Sequence, residues 1–491
     1  MTGAVISSLS AGVRGLITAA MQAHRDDPAT VALLHRHLAR LDEPLRVAVA
    51  GRVKAGKSTL LNALIGDRLA PTDAGECTRV VTWFRDGRSP RIVMHPRRGA
   101  PTPLTVTRDD GALVIDLGAT PAAELDRVEV EWPSRGLRAM TLIDTPGIAS
   151  LTAENSRRTV AFLDPDDDRP TEADAVIYLM RHLHTADADF LESFRDQGVA
   201  RATAVNTLAV LSRADEIGAG RVDAMFSARA IAQRYRAEPA VRGLCQDVVA
   251  VAGLLAQTGR TLRQAEYQAL AELAARPRVD VDGMLLSVDR FLGAEPVTAG
   301  ATQEELLRRY GLFGVRLAVS LIRQGATTPA ALSSELVERS GLPELQRVLQ
   351  VQFAERRDLL KARSALLAVE AVERARGGGR LAGALERVLA NAHEFTELRA
   401  LGTLRSGTSM LPCELVSDAE LLLGDAGSGL ASRLALPATA GPAELRNGAA
   451  AALRRWHRHA ANPLLGRTAV HVCKVVIRSC EGMLDMIGPA R

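Results

Sequence analysis

Lysine is almost missing from this chain: of 61 Lys and Arg in 491 residues, only Lys54, Lys57, Lys361 and Lys474 are lysine. Aromatic residues make up 3% of the sequence and the formal net charge is only +4. A nucleic-acid binder needs a dense basic face and stacking platforms, so both scarcities argue against nucleic acid as a partner. The five cysteines, Cys77, Cys245, Cys413, Cys473 and Cys480, are odd in number and scattered. They offer neither a disulfide framework nor a metal-ligand spacing, which points to a reducing cytoplasm. Cys473 and Cys480 stand seven apart on one helical face, a spacing that suits core packing. No stretch reaches the roughly 18 uninterrupted apolar residues that span a bilayer. Membrane contact, if any, is expected to be peripheral. Residues 1–8 carry no basic segment ahead of their apolar residues, so no secretion signal is expected.

Two of the four lysines fall inside Gly51-Arg-Val-Lys-Ala-Gly-Lys-Ser58, a complete Gly-x-x-x-x-Gly-Lys-Ser phosphate loop. Glycines at its ends let backbone N–H groups turn inward around phosphate oxygens. Lys57 supplies a point charge, and the Ser58 hydroxyl is the expected magnesium ligand. The apolar run before the loop reads as a strand, and Ser58-Thr-Leu-Leu-Asn-Ala-Leu-Ile65 has helical spacing. The loop therefore opens a helix whose first amides favour an anion.

About ninety residues later, Met140-Thr-Leu-Ile-Asp-Thr-Pro-Gly147 is a strand that ends in Asp-x-x-Gly. Asp144 is placed to hold the metal through water, and the Gly147 amide to meet a terminal phosphate. Between the two motifs, the turn-rich stretch 71–82 offers Thr78, 21 residues after Lys57, as the switch threonine that completes the metal shell, with Thr72 as the competitor. Leu208-Ala-Val-Leu-Ser-Arg-Ala-Asp215 is a further buried-strand pattern. A carboxylate at Asp215 accepts from guanine N1–H and the N2 amine, groups that adenine lacks. Arg213 stands where guanine-reading motifs usually carry lysine, and its flat guanidinium and stem can still cover the purine. Ser212 precedes it. Ala252 and Gly253, small residues after another strand, offer a backbone N–H to the base oxygen.

The segments 45–59, 70–85, 143–147 and 212–221 resemble the bacterial dynamin-like GTPases, most closely the isoniazid-inducible type of mycobacteria and related actinobacteria. The likeness continues through 285–291, 310–316, 338–345 and 360–363 and thins over the last hundred residues. It implies a GTPase head on a helical neck and trunk, acting at membranes by nucleotide-dependent self-association. Residue by residue, it implies phosphate binding by Gly51, Gly56 and Lys57, with Lys54, Ala55, Ser58 and Thr59 also in the nucleotide site. It further implies magnesium at Ser58, Thr78 and Asp144, γ-phosphate sensing by Asp144 and Gly147, and guanine reading by Asp215 beside Ser212 and Arg213. Two departures stand out. Val53 replaces a polar loop residue of eukaryotic dynamins, and Ile148 sits where Ras-like proteins carry a water-positioning glutamine. Neither can hydrogen-bond a nucleophilic water, so slow hydrolysis is expected unless Lys54, Arg52 or a partner subunit supplies the missing charge.

The expected fold class is α/β: a mostly parallel sheet covered on both faces, with a helical bundle built from both chain ends. The expected domains are N-terminal helices at 1–44, a GTPase domain at 45–355 with strands alternating with helices and an extra hairpin in 86–139, and helices at 356–491. A long helix is expected over 352–370, broken at Gly377-Gly-Gly379, and a second from Leu381 to about Leu404. For membrane contact, 421–436 reads as an apolar, glycine-rich tip loop, and Arg454-Arg-Trp-His-Arg-His459 as a basic cluster with an aromatic anchor. Two functions from different classes fit. One is a mechanochemical GTPase using GTP and Mg2+, self-associating and peripheral to the inner face of an anionic plasma membrane. The other is a GTP-regulated scaffold with negligible turnover that recruits a sibling dynamin-like protein.

Overall fold

The computed structural model describes residues 3–71, 80–146, 172–182, 206–218, 220–298, 300–375, 381–407, 409 and 411–488. Among them, nine strands form one sheet in the order β11-β10-β9-β1-β8-β2-β7-β3-β4. The strands are β1 (Leu45–Gly51), β2 (Val81–Asp86), β3 (Arg91–Pro96), β4 (Thr102–Leu104), β7 (Leu125–Trp132), β8 (Met140–Asp144), β9 (Ala175–Met180), β10 (Thr207–Ser212) and β11 (Val248–Val251). The strands β5 (Thr107–Asp109) and β6 (Ala112–Val114) make a separate hairpin. From β11 to β8 every pairing is parallel, while β2 runs antiparallel to β8.

The parallel strands β9, β10 and β11 are buried along their whole length, as a sheet covered on both faces requires. Their alternation sorts residues between two cores. Val47, Val49, Ile177, Leu179, Val210 and Val251 face α3 (Lys57–Ile65) and α9 (Leu342–Leu349). Ala48, Ala50, Tyr178, Met180, Leu211 and Ala250 face α4 (Ala224–Ala237), α6 (Gln264–Ala275), α7 (Gln303–Arg323) and α8 (Pro329–Arg339). Between them in sequence lies α5 (Gly253–Arg260).

Two described stretches depart from the expected alternation of strands and helices: 81–144 and the residues after Val251. β2 to β8 follow one another with only short 3-10 turns between them, and after Val251 the described chain is helical. The reason is local. The stretch 81–132 is rich in β-branched residues and turn formers, which favour hairpins over crossover helices.

A third core joins the chain ends. Leu9, Val13, Ile17 and Leu34 from α1 (Gly3–Ala23) and α2 (Pro28–Arg40) pack with Leu366 and Val369 of α10 (Arg357–Ala375) and with residues as distant as Met483. Asp27 caps α2 by accepting from the Ala29 and Thr30 amides, and Pro28 holds its first position. The expected 352–370 helix begins later, at Arg357, after a π-helical turn over Gln350–Ala354. The expected 381–404 helix is two, α11 (Ala382–Asn391) and α12 (His393–Arg405), because Ala392 leaves helical geometry with ψ at 90°. The bundle continues with α13 (Cys413–Leu422), α14 (Pro442–Ala460) and α15 (Arg467–Ile487).

The 421–436 stretch is not a tip loop. Leu422 and Leu423 are buried in the bundle core, and buried Arg433 donates to the Leu422 carbonyl at 2.7 Å and pairs with Glu397. Nor is Trp456 an interfacial anchor: it is fully buried, and its Nε1 donates to Asp418 at 2.7 Å. Burying an indole is favourable once its N–H finds a partner. Cys473 and Cys480 are buried in the same core.

Sheet and bundle meet through charge. Asp174, just before β9 and 1% exposed, accepts from Arg40 at 2.9 Å, from Lys361 at 3.3 Å and from the Arg46 amide at 2.9 Å. Burial pushes its carboxyl up, but the two cations and the amide outweigh that and hold it below the usual range.

Candidate nucleotide-binding site

Gly51 ends β1 with φ at 147°, and a Cβ there would lie 2.5 Å from the Leu179 carbonyl oxygen on β9. Only glycine fits that contact and that conformation. The chain then turns through Lys54, exposed and left-handed with φ at 63°, to Gly56, whose φ of 90° starts α3. Ala55 is buried, and the loop closes with the Ala55 amide donating to Arg52 O at 3.1 Å.

The Lys57 ammonium donates to Gly51 O at 3.2 Å and Arg52 O at 3.3 Å. Burial lowers its pKa, with Asp144 opposing. Ser58 Oγ donates to Asp144 Oδ2 at 3.0 Å, while Asp144 Oδ1 is closed to solvent with no hydrogen-bond partner among the described residues. Burial raises this carboxyl to about 6 against the pull of Lys57. A buried carboxylate oxygen left unpaired beside a serine hydroxyl at a helix N-terminus is the donor set of a hard divalent cation. Magnesium fits these residues.

The other end of the site sits at the ends of β10 and β11. An open cleft of about 170 Å³ is lined by Gly56 and Thr59 on the phosphate-loop side and by Ser212, Arg213, Asp215 and Gly253 on the other. It opens at the carboxyl ends of parallel strands, where ligands of α/β sheets bind. Ser212 is buried and donates to Met180 O at 3.1 Å, which fixes the end of β10. Arg213 takes a left-handed conformation with φ at 52°, and its guanidinium pairs with Glu216 at 2.7 Å. Burial raises the Asp215 carboxyl, partly offset by a backbone hydrogen bond. Ala252 donates to Ser340 O at 2.9 Å, so its amide is occupied, while Gly253 opens α5 beside Leu60.

Of the residues singled out in the sequence, this geometry brings together Gly51, Lys54, Ala55, Gly56, Lys57, Ser58, Thr59 and Asp144 around the loop, and Ser212, Arg213, Asp215 and Gly253 at the far wall; Ala252 is buried behind that wall with its amide already bonded, so it does not offer the expected N–H to a base. Thr72, Thr78, Gly147 and Ile148 lie outside the described residues.

Three supporting residues escaped the sequence reading. Buried Asn62 on α3 accepts from the Leu69 and Ala70 amides at 2.8 and 2.7 Å and donates to Ala70 O, latching the chain that leads into 72–79. A lone Asn on an apolar helix was its only signal. Thr145 Oγ donates to Val49 O at 2.9 Å, tying the end of β8 to β1. Arg316 donates to Gly220 O at 2.6 Å and to Leu285 O, bracing the segment after Asp215. Nothing local to residue 316 marks it.

The profile described as Dynamin family matches residues 47–212. The isoniazid-induced protein IniC of Mycobacterium tuberculosis is 42% identical over 489 residues, covering 97% of this chain and 98% of its own. A bacterial dynamin-like protein of Nostoc punctiforme is 25% identical over 295 residues, covering 56% of this chain and 40% of its own. A solved oligomerised bacterial dynamin pair, described as sensing and tethering membranes, covers 99% of this chain and 76% of its own at 14% identity, with a TM-score of 0.32.

Proposed function

This chain belongs to the bacterial dynamin-like family, and from that premise we propose that it binds GTP with Mg2+, hydrolyses it slowly, and couples the cycle to self-association at a membrane surface. One observation carries the reading: a single cleft joins a phosphate loop, whose Ser58 and Asp144 leave a buried oxygen free, to a raised carboxylate at Asp215. The first feature suits a metal-bound triphosphate. The second suits a base that presents a ring N–H beside an amine, which guanine does and adenine does not. Ser58 and Asp144 would hold the magnesium, with Thr78 assigned on its motif alone. Bound there, the ion would offset negative charge on the phosphate oxygens.

Lys57 holds only neutral carbonyls of the loop, and its buried charge gains from a phosphate anion. Gly147 is assigned to the γ-phosphate and Lys54 to catalytic support. The peripheral site of action is the inner face of an anionic membrane. No helix among the described residues is long and apolar enough to cross a bilayer. Calorimetry on the intact protein tests the core of this reading. GTP should bind and ATP should not, and Lys57→Ala should lose binding; ATP preference or an unaffected variant overturns it.

A second reading, a GTP-bound scaffold for a sibling dynamin-like protein, is favoured by Val53, an apolar loop side chain 46% exposed at the place where a water-orienting group belongs. Turnover that rises with protein concentration selects the first reading, and flat, negligible turnover with tight binding selects the second.

A further inference from the structure

Between Glu444 and Glu481 the chain carries no Asp or Glu, seven Lys and Arg, and three His. The structure folds this run into the α14–α15 hairpin, packed on α12 and α13 of the bundle. Its turn exposes Leu464 to 90%, the most exposed large apolar side chain among the described residues. Around that turn the basic residues are ordered. Arg467, His471, Lys474 and Arg478 follow spacings of four, three and four residues and are all exposed, so they form one stripe along α15, opposite its buried face of Val472, Cys473 and Val476. Arg454 and Arg458 lie exposed one turn apart on the last turns of α14. By contrast, Arg455 is held by Asp418 at 2.7 Å and Trp456 is in the core, so the cluster is split into structural and free members. Arg454, Arg458, Arg467, Lys474 and Arg478 have no ion-pair partner among the described residues.

We propose that this hairpin turn is the membrane-contact element: Leu464 enters the headgroup region of an anionic bilayer while the free cations of α14 and α15 engage lipid phosphates. The inference rests on the peripheral-membrane reading and names the element that carries it. Charge complementarity selects the occupant. An unbroken acid-free stripe flanking one exposed leucine suits a negatively charged interface, which takes up an apolar residue at its boundary and cations above it. A protein partner would be met by a mixed rim, and an RNA partner by aromatic platforms. The turn has neither.

Co-sedimentation of the full chain with vesicles tests the assignment. Wild type should bind phosphatidylcholine vesicles containing phosphatidylglycerol, bind pure phosphatidylcholine weakly, and weaken with salt. Each cation removed should cost about fivefold in partitioning, so Arg458→Glu with Arg467→Glu should lose at least about 25-fold. Leu464→Asp should also weaken binding. GTP affinity and melting temperature should stay unchanged, since these side chains are exposed. If wild type binds anionic vesicles and these variants bind equally, the hairpin assignment falls while the peripheral reading stands. If wild type binds no vesicle with or without GTP, or prefers RNA, both fall.

Discussion

Replacing Asp144 by Asn should stabilise this protein while disabling its site. In the folded chain the carboxyl is closed off from water and rises from its ordinary 3.8 to about 6, chiefly through burial, with Lys57 and Ser58 pulling the other way. A folded pKa above the unfolded one means that the native state holds the proton more tightly. The associated stability is full below about pH 4 and is lost as pH rises through about 6. At 1.36 kcal/mol per pH unit, wild type at pH 8 forgoes about 3 kcal/mol relative to its protonated form. Asparagine is uncharged at every pH and keeps a carbonyl to accept from Ser58, so it should retain most of that amount. Urea unfolding without nucleotide should therefore show the variant about 3 kcal/mol more stable at pH 8, with the gap closing toward pH 4. Adding Mg2+ and GTP should reverse the order, because a ligand stabilises only the state that binds it and the variant lacks the anionic oxygen. A variant no more stable than wild type at pH 8 would refute the claim that the folded state strains this carboxylate.

Removing Asp174 should act in the opposite direction. Asp174→Ala leaves Arg40 and Lys361 buried without a counter-charge, and should cost about 3–5 kcal/mol in denaturant unfolding. Because that carboxyl is held below its ordinary value, its stabilisation is present above about pH 4 and lost as pH falls through the folded pKa, so the variant's acid dependence should be shallower. Asp215→Asn should lower GTP affinity at least about 100-fold by calorimetry. Xanthosine triphosphate, whose 2-oxo group accepts where guanine donates, should recover part of the loss.

The parts of this protein written in consecutive residues were legible in advance. A phosphate loop declares itself because Gly51, Lys57 and Ser58 act through their own backbone and spacing, and the strands before it and at 140–144 and 207–212 are short, mostly apolar runs. The structure places Asp144 within hydrogen-bond reach of Ser58, across 86 residues of chain. Asn62, Thr145 and Arg316 were not legible, since each works on a backbone group that only folding brings near. The bundle misled in a specific way. Leu422, Leu423 and Trp456 look like interfacial apolar residues in a window, yet α12, α13 and α15 supply the neighbours that bury them.

Local order, then, was set by the chain alone: where glycine must bend, where a run must be a strand, where a carboxylate follows a strand end. Short-range sterics and hydrophobic period decide those matters within a dozen residues. Which charges are spent inside and which stay free was decided by the tertiary structure. Arg40 and Lys361 close on Asp174 and Arg455 closes on Asp418, while Arg458 and Arg467 remain in water. An arginine's fate depends on whether packing delivers a carboxylate within about 4 Å, and such pairs join residues tens to hundreds of positions apart.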